Sequence, residues 1–391
     1  GLGFMPAVLR RALAEAAPRS KVLVTLFQRG AVDGLSMVPP LGEPRYRALR
    51  PNIGLAASGE GAAPRLDDTF GLHPALSPLA PLFAEGALAV VHAVGSPDPS
   101  RSHFDAQDYL DAGTPSVKST EDGWLNRTLQ MEKNAGARPL RAVALQPDLP
   151  RSLRGRAPAV AMTSVADFTL RGGRDTSALA ESFTAAYEKS GDASLASAAA
   201  GAFSAISILK EARLDHLTPK NGAIYPASPL GKRMKEIAQL IRADVGLEAA
   251  ATDCGGWDTH AAQGAAQGAL AQRLKDLGDS LSAFATDLGP ALADVCLVTM
   301  TEFGRTVREN GTRGTDHGHG SVMLVLGGGV RGKRVITRWK SLADADLYEG
   351  RDLPATLDHR DVLAEALTTH LGVRDLTKVF PRFTPTKLGL F

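Results

Sequence analysis

The sequence predicts an α/β fold with a mainly parallel sheet covered on both faces. Three features point there: short apolar runs rich in β-branched residues, longer helical stretches alternating with them, and polar or glycine-rich segments just after the runs. Residues 21–27, KVLVTLF, form the first run and read as a buried strand. Residues 87–94 and 142–145 are the next two candidates, and 248–252 is a weak fourth. Residues 295–300 (VCLVTM) and 322–326 (VMLVL) are strong. Helical patterns fill 177–190, 194–215, 229–244, 261–288 and 360–371. Such alternation favours parallel pairing with helices packed on both sides. Residues 39–71, rich in Pro, Gly and Arg, read as a long excursion from the sheet, and 151–174 as another loop. No fixed-period repeat is evident, so one domain over 17–391 with loop insertions is the simplest account.

Composition narrows the function classes. A chain of 391 residues with 44% hydrophobic content can bury a substantial core. Lys and Arg number 44 against 42 Asp and Glu, so no strong field attracts nucleic acid or an anionic membrane. Aromatics are only 5%, which also argues against a base-stacking surface. The two cysteines, Cys254 and Cys296, read as small core residues and cannot build a disulfide framework or a cysteine-based zinc site. Residues 1–16 begin GLGFMPAVLRRAL and end in Ala14-Glu15-Ala16, a pattern that signal peptidase accepts. They read as an export-signal remnant or an amphipathic helix, too short to span a bilayer. No other stretch reaches membrane length.

The polar clusters follow the strands, where ligands bind in open α/β sheets. Asp33 lies after the first strand, and Ser96 to His103 after the second. Asp258 and His260 follow the fourth; Glu302 and Arg305 follow the fifth, with Asp316, His317 and His319 beyond. Asp316-His317-Gly318-His319-Gly320 is the sharpest signal, because carboxylates and imidazoles among glycines suit a metal ion. Asp258 and His260, two apart in extended chain, can point the same way, and Asp33 could bridge. This donor set suits zinc, manganese or iron better than calcium. Ser102-His103-Phe104-Asp105 fits a capping box, with Ser102 at the N-cap of a helix. A hydroxyl there, beside a metal, is also placed as a nucleophile, with Ser100 as rival. His103 suits either the site or a helix-face hydrogen bond. Arg29, Arg101, Arg127 and Arg305 lie near these loops, and a guanidinium suits a tetrahedral oxyanion.

The segments RGAVDGLSMVPP, the long stretch from FGLHPALSP to SRSHFDAQDY, GWDTH, TEFGRTVREN and GTDHGHGSVMLVLGGGVRGKRV closely resemble the exported bacterial family catalogued as domain of unknown function 1501. The resemblance spans roughly residues 22–375 and implies export by a twin-arginine or similar signal, to the periplasm or beyond. That family is itself similar to the alkaline phosphatase and sulfatase superfamily. This second resemblance implies a three-layer α/β/α fold and a site for one or two divalent metals. Zinc is expected first, with manganese, iron, copper and calcium as alternatives. By the same resemblance Asp33, Asp258, His260, Asp316 and His317 are expected metal ligands, and the Asp316-His317-Gly318-His319-Gly320 cluster itself adds His319. Ser102 is the expected nucleophile, with Arg101 and Arg305 as catalytic arginines.

The spacing departs from the superfamily. Asp258 and His260 have only Thr259 between them, and His319 follows the Asp316-His317 pair almost at once. His359 and His370 are distant candidates that suit structural roles better. The expected function is a metal-dependent hydrolase of small phosphate or sulfate esters, with no nucleic-acid partner and no membrane span. The alternatives are a non-catalytic metal-binding or assembly protein, and a metal enzyme with redox chemistry.

Overall fold

The computed structural model describes residues 20–59, 61–131, 138–166, 168 and 193–391. The expected signal remnant and the helix expected over 177–190 lie outside them. Strands β1 (Val22–Gln28), β2 (Leu88–Gly95), β3 (Ala142–Leu145), β4 (Val160–Met162), β5 (Ala249–Cys254), β6 (Val295–Met300), β7 (Ser321–Gly327), β8 (Val335–Ile336) and β9 (Leu357–Asp358) form one sheet. Its order is β4-β3-β5-β1-β6-β7-β2-β8, with β9 also on β2. Pairing is parallel from β4 through β6, antiparallel on both sides of β7, and parallel again from β2 to β8 and β9. The α/β class and the mostly parallel sheet therefore match the sequence expectation, with one strand reversed.

That reversal matters for the site. Because β7 runs against its neighbours, the segment that leads into it lies at the edge where β1, β5, β6 and β2 end. Residues 301–320 thus leave β6 and return to β7 along one edge of the sheet.

The central strand β1 is buried along its whole length, as its VLVTLFQ sequence requires. Val22, Val24 and Leu26 enter one apolar cluster, and Leu23 and Phe27 enter another. Alternate residues of a strand point to opposite faces, so the two clusters lie on opposite sides of the sheet. Helices α3 (Ala193–Ala212), α4 (Pro229–Arg242) and α5 (Ala269–Leu288) contribute to the first cluster. Helices α1 (His103–Ala112), α2 (Trp124–Gln130) and α6 (His359–Glu365) contribute to the second.

Local chemistry sets where these helices start and stop. Ser228 caps α4, accepting from Gly231 N, and Pro229 takes the first turn, where a missing N–H costs nothing. Helix α5 starts at Ala269 rather than at 261, because Gly264 and Gly268 adopt φ of +84° and +119° and break the pattern. Residues 261–268 form a loop instead, and that loop delivers Gln263 to the interior. Among the described residues no helix is long and apolar enough to cross a membrane.

Candidate metal centre

The two ends of the β6–β7 connection are knitted together at the sheet edge. Thr306 N donates to Asp316 O at 2.9 Å, Gly318 N to Gly304 O at 2.8 Å and Gly304 N to His319 O at 2.8 Å. Glycine makes this possible: a Cβ on Gly318 would overlap the Arg305 carbonyl. At Gly30 (φ +119°) a Cβ would lie 2.7 Å from Asp258 N, and the free Gly30 N–H donates to Glu302. The glycines let backbone pack against backbone, which brings the loops carrying the site into register.

At the centre of this knot, ligand atoms of His103, Asp258 and His317 lie within 4.8 Å of one another. His103 Nε2 is 3.0 Å from His317 Nε2. His317 Nε2 is 3.2 Å from Asp258 Oδ1, and His103 Nε2 is 3.6 Å from Asp258 Oδ2. His260 joins from a second side, its Nε2 3.0 Å from both His317 Nε2 and Asp258 Oδ1. Phe303 walls the group, with its ring centroid 5.0 Å from those of His103 and His317.

The remaining ring nitrogens assign the tautomers. His317 Nδ1 faces the Arg101 carbonyl at 3.0 Å, which can only accept, so Nδ1 carries the proton. His103 Nδ1 faces Glu302 Oε1 at 2.8 Å, and His260 Nδ1 faces Asp316 Oδ1 at 3.0 Å. With each Nδ1–H directed outward, a ring in its neutral form presents its Nε2 lone pair to the other rings and to the Asp258 carboxylate. One extra proton would satisfy one of these contacts. A divalent ion satisfies them together, because ligands at about 2.0–2.1 Å from a tetrahedral ion stand about 3.4 Å apart. The three ligand separations of 3.0, 3.2 and 3.6 Å bracket that value.

The supporting groups are deeply set. Glu302 is 1% exposed and accepts from Gly30 N, His103 Nδ1 and Gln107 Nε2, each at 2.8 Å, and from Thr301 Oγ1 at 3.0 Å. Burial alone would raise its pKa, yet these donors hold it below the usual carboxylate value. The Glu302 hydrogen bond in turn raises the pKa of His103, whereas burial, with Arg305 and His103 nearby, lowers that of His317. Arg305 is 1% exposed and donates to the carbonyls of Gly30, Ala31, Trp257 and Thr315 and to Asp258 Oδ1. Burial opposes the charge on Asp258, but Arg305 keeps its pKa depressed.

Of the expected ligands, Asp258, His260 and His317 come together, and three do not stand among them. Asp33 is 1% exposed and clasped by Arg50, with Nη1 on Oδ2 at 2.6 Å and Nη2 on Oδ1 at 3.0 Å. Ser36 and Gln263 also donate to its Oδ2, at 2.7 and 2.6 Å. Both oxygens are taken, so this carboxylate anchors the excursion that follows β1 instead of holding an ion. Asp316 supports His260 from behind and accepts from Asn310 Nδ2 at 3.1 Å. His319 turns away: its Nε2 faces Ser96 O at 3.1 Å, and its ring stacks on Tyr348 with centroids 4.3 Å apart.

The expected catalytic arginines are engaged as well. Arg305 orients Asp258, and the Arg101 guanidinium is paired with Asp352 at 2.7 Å and Glu349 at 2.6 Å. Ser102 caps α1, its Oγ accepting from Asp105 N at a long 3.5 Å, and is exposed between two site residues. Arg101 before it lends the carbonyl that holds His317, and His103 after it is a ligand candidate.

Sequence reasoning undervalued His103 and Glu302, and it missed Gln107 and Arg50. His103 was readable as a helix-face residue because Ser102 and Asp105 so clearly cap a helix. Its only further signal was position after a strand. Arg50 carried none, lying in a stretch with no periodicity.

A family model described as protein of unknown function (DUF1501) matches residues 20–380. No curated protein matches the chain. The match covers the sheet and every residue of the centre, and the chain belongs to the DUF1501 family.

Proposed function

We propose that this protein is a metal-dependent hydrolase of small phosphate or sulfate esters, exported to the periplasm or beyond. The observation that carries the metal reading is the convergence of His103 Nε2, His317 Nε2 and the Asp258 carboxylate within 4.8 Å of one another. In this proposal His103, Asp258 and His317 would hold the ion, zinc first among the candidates. Three protein ligands with remaining positions open is the pattern of catalytic rather than structural zinc sites. The side chains of His103 and His317 are each 25% exposed and that of Asp258 44%, so the centre is reachable from solvent. A divalent ion there supplies Lewis acidity toward an ester oxygen and lowers the pKa of a bound hydroxyl.

The chain's own groups take the other roles. Ser102 presents its hydroxyl beside ligand His103 and is the proposed nucleophile. His260, oriented by Asp316, faces the same space and is placed to carry a proton for the leaving group. Glu302 and Arg305 fix the orientations of His103 and Asp258. The ester reading and the three-layer arrangement of alkaline phosphatases and sulfatases rest on the resemblance of the motifs, and the metal-suited centre at the strand ends supports both.

Elemental analysis of protein purified without chelator, followed by turnover of generic phosphate and sulfate esters, tests the proposal. About one equivalent of a transition metal and measurable turnover are expected. Ser102→Asp should stay folded and metal-bound, because aspartate caps a helix about as well as serine, yet be inactive. Bound metal without turnover of any ester would favour a non-catalytic metal-binding protein. Wild-type turnover in Ser102→Asp would remove Ser102 as nucleophile.

A further inference from the structure

The support behind His103 does not stop at Glu302. Glu302 Oε1 accepts from His103 Nδ1 and from Gln107 Nε2, each at 2.8 Å. His103 and Gln107 lie four residues apart in α1 and so share one face of the helix. The far end of the Gln107 amide faces Arg29, whose Nη1 donates to Gln107 Oε1 at 2.8 Å. Arg29 Nε donates to Asp253 Oδ2 at 2.7 Å, and Asp253 Oδ1 accepts from Arg233 Nη1 at 3.0 Å. One unbroken run of hydrogen bonds therefore joins His103 to Arg29, just past β1, and to Asp253, in β5.

This run has a direction. A guanidinium only donates, so Gln107 must turn Oε1 toward Arg29 and its NH2 toward Glu302. Turned the other way, the amide would set an oxygen against the Glu302 carboxylate and an NH2 against the Arg29 cation. Arg29 thus selects the end of Gln107 that Glu302 meets, and Gly30, the next residue, adds its own N–H to the same Oε1 at 2.8 Å. Asp253 holds Arg29 from behind and is itself anchored by Arg233. We propose that Gln107 and Arg29 are positioning residues of the candidate metal centre: acting in series through Glu302, they hold His103 in the orientation that turns Nε2 toward Asp258 and His317. This inference rests on the metal reading and extends it to two residues outside the ligand set.

The test measures zinc affinity by chelator competition in the full chain, for wild type, Gln107→Leu, Arg29→Met and the double variant, with the folded fraction checked by circular dichroism. Cobalt(II)-loaded samples of each add a visible spectrum, which reports ligand geometry and does not respond to stability alone. Gln107→Leu should bind zinc about tenfold more weakly and shift the cobalt bands, as loss of support behind a ligating histidine does. Arg29→Met should do the same. Because Arg29 acts through Gln107, the double variant should also lose about tenfold, and not the roughly hundredfold of two independent losses. Gln107→Met takes the place of Gln107→Leu if that variant does not fold. Unchanged zinc affinity and cobalt bands in the folded Gln107 variant would overturn the role of Gln107, and losses that multiply in the double variant would overturn the series. In both cases zinc binding by wild type leaves the metal reading standing. A wild type that binds neither zinc nor cobalt would end the metal reading, and this inference with it.

Discussion

His317 is the residue whose removal separates a metal ligand from a loop-ordering histidine. Its Nε2 is the common neighbour of the centre, 3.0 Å from His103, 3.0 Å from His260 and 3.2 Å from Asp258. His317→Ala deletes one proposed ligand and, in metal-free protein, one hydrogen bond to the Arg101 carbonyl. That bond contributes about 1 kcal/mol. Metal at a thousandfold excess over its Kd adds about 4 kcal/mol to the wild type. The entropy of unfolding for a chain of this size is about 0.8 kcal/mol/K, so metal should raise the wild-type Tm by about 5 °C. The lost hydrogen bond is worth only about 1 °C on the same scale. Calorimetric scans of wild type and His317→Ala, each stripped and each with zinc, give four melting temperatures. The two stripped proteins should melt within about 2 °C of each other, and only the wild type should gain on adding zinc. A zinc-dependent shift of the same size in His317→Ala would refute the ligand assignment. A large loss confined to the stripped variant would mark His317 as structural.

Three further outcomes follow from the same contacts. Asp33→Ala strands the Arg50 guanidinium, 0% exposed, without its carboxylate; it should cost roughly 3–5 kcal/mol in chemical denaturation, with metal per folded molecule unchanged. Loss of metal from the folded fraction would return Asp33 to the ligands. Glu302→Gln keeps the volume but removes the charge that fixes His103, so zinc affinity should fall about 10–100-fold in a chelator competition; an unchanged affinity would make Glu302 purely structural. Burial pushes the Asp111 carboxyl up to about 6, so the folded state holds this proton more tightly than the unfolded chain. The sign is fixed: stability from this group is full below the unfolded value, near pH 4, and is lost as pH rises toward 6. Asp111→Asn should therefore raise stability at pH 8 by at most about 3 kcal/mol and leave it unchanged at pH 4; equal effects at both pH values would count against a buried, reluctantly charged carboxylate.

The sheet was legible because strand signals are local. The runs over 295–300 and 142–145 are strands β6 and β3 to the residue, and the other four lie within two residues of their expected ends. Burial on both faces forces a continuous apolar run, whatever the rest of the chain does. The short edge strands β4, β8 and β9, of three, two and two residues, carry too little pattern to be read.

For the site, the sequence by itself determined the chemical types available and the loops that bear them: Asp258 and His260 after one strand, Asp316 and His317 before another. Tertiary structure alone decided which of them meet. Asp33 could have faced the centre, but Arg50, 17 residues on in an aperiodic stretch, closes on both its oxygens. His103 reads as a helix start, and only the approach of α1 to the β7 lead-in sets its Nε2 against His317. Asp316 and His317 are adjacent, yet one supports and the other converges, because neighbouring side chains in extended backbone point to opposite sides. Periodicity and capping are written within a few residues, whereas convergence depends on strand order and on the reversal of β7. Those are settled by packing between distant segments, such as Gly30 and Arg305, 275 positions apart.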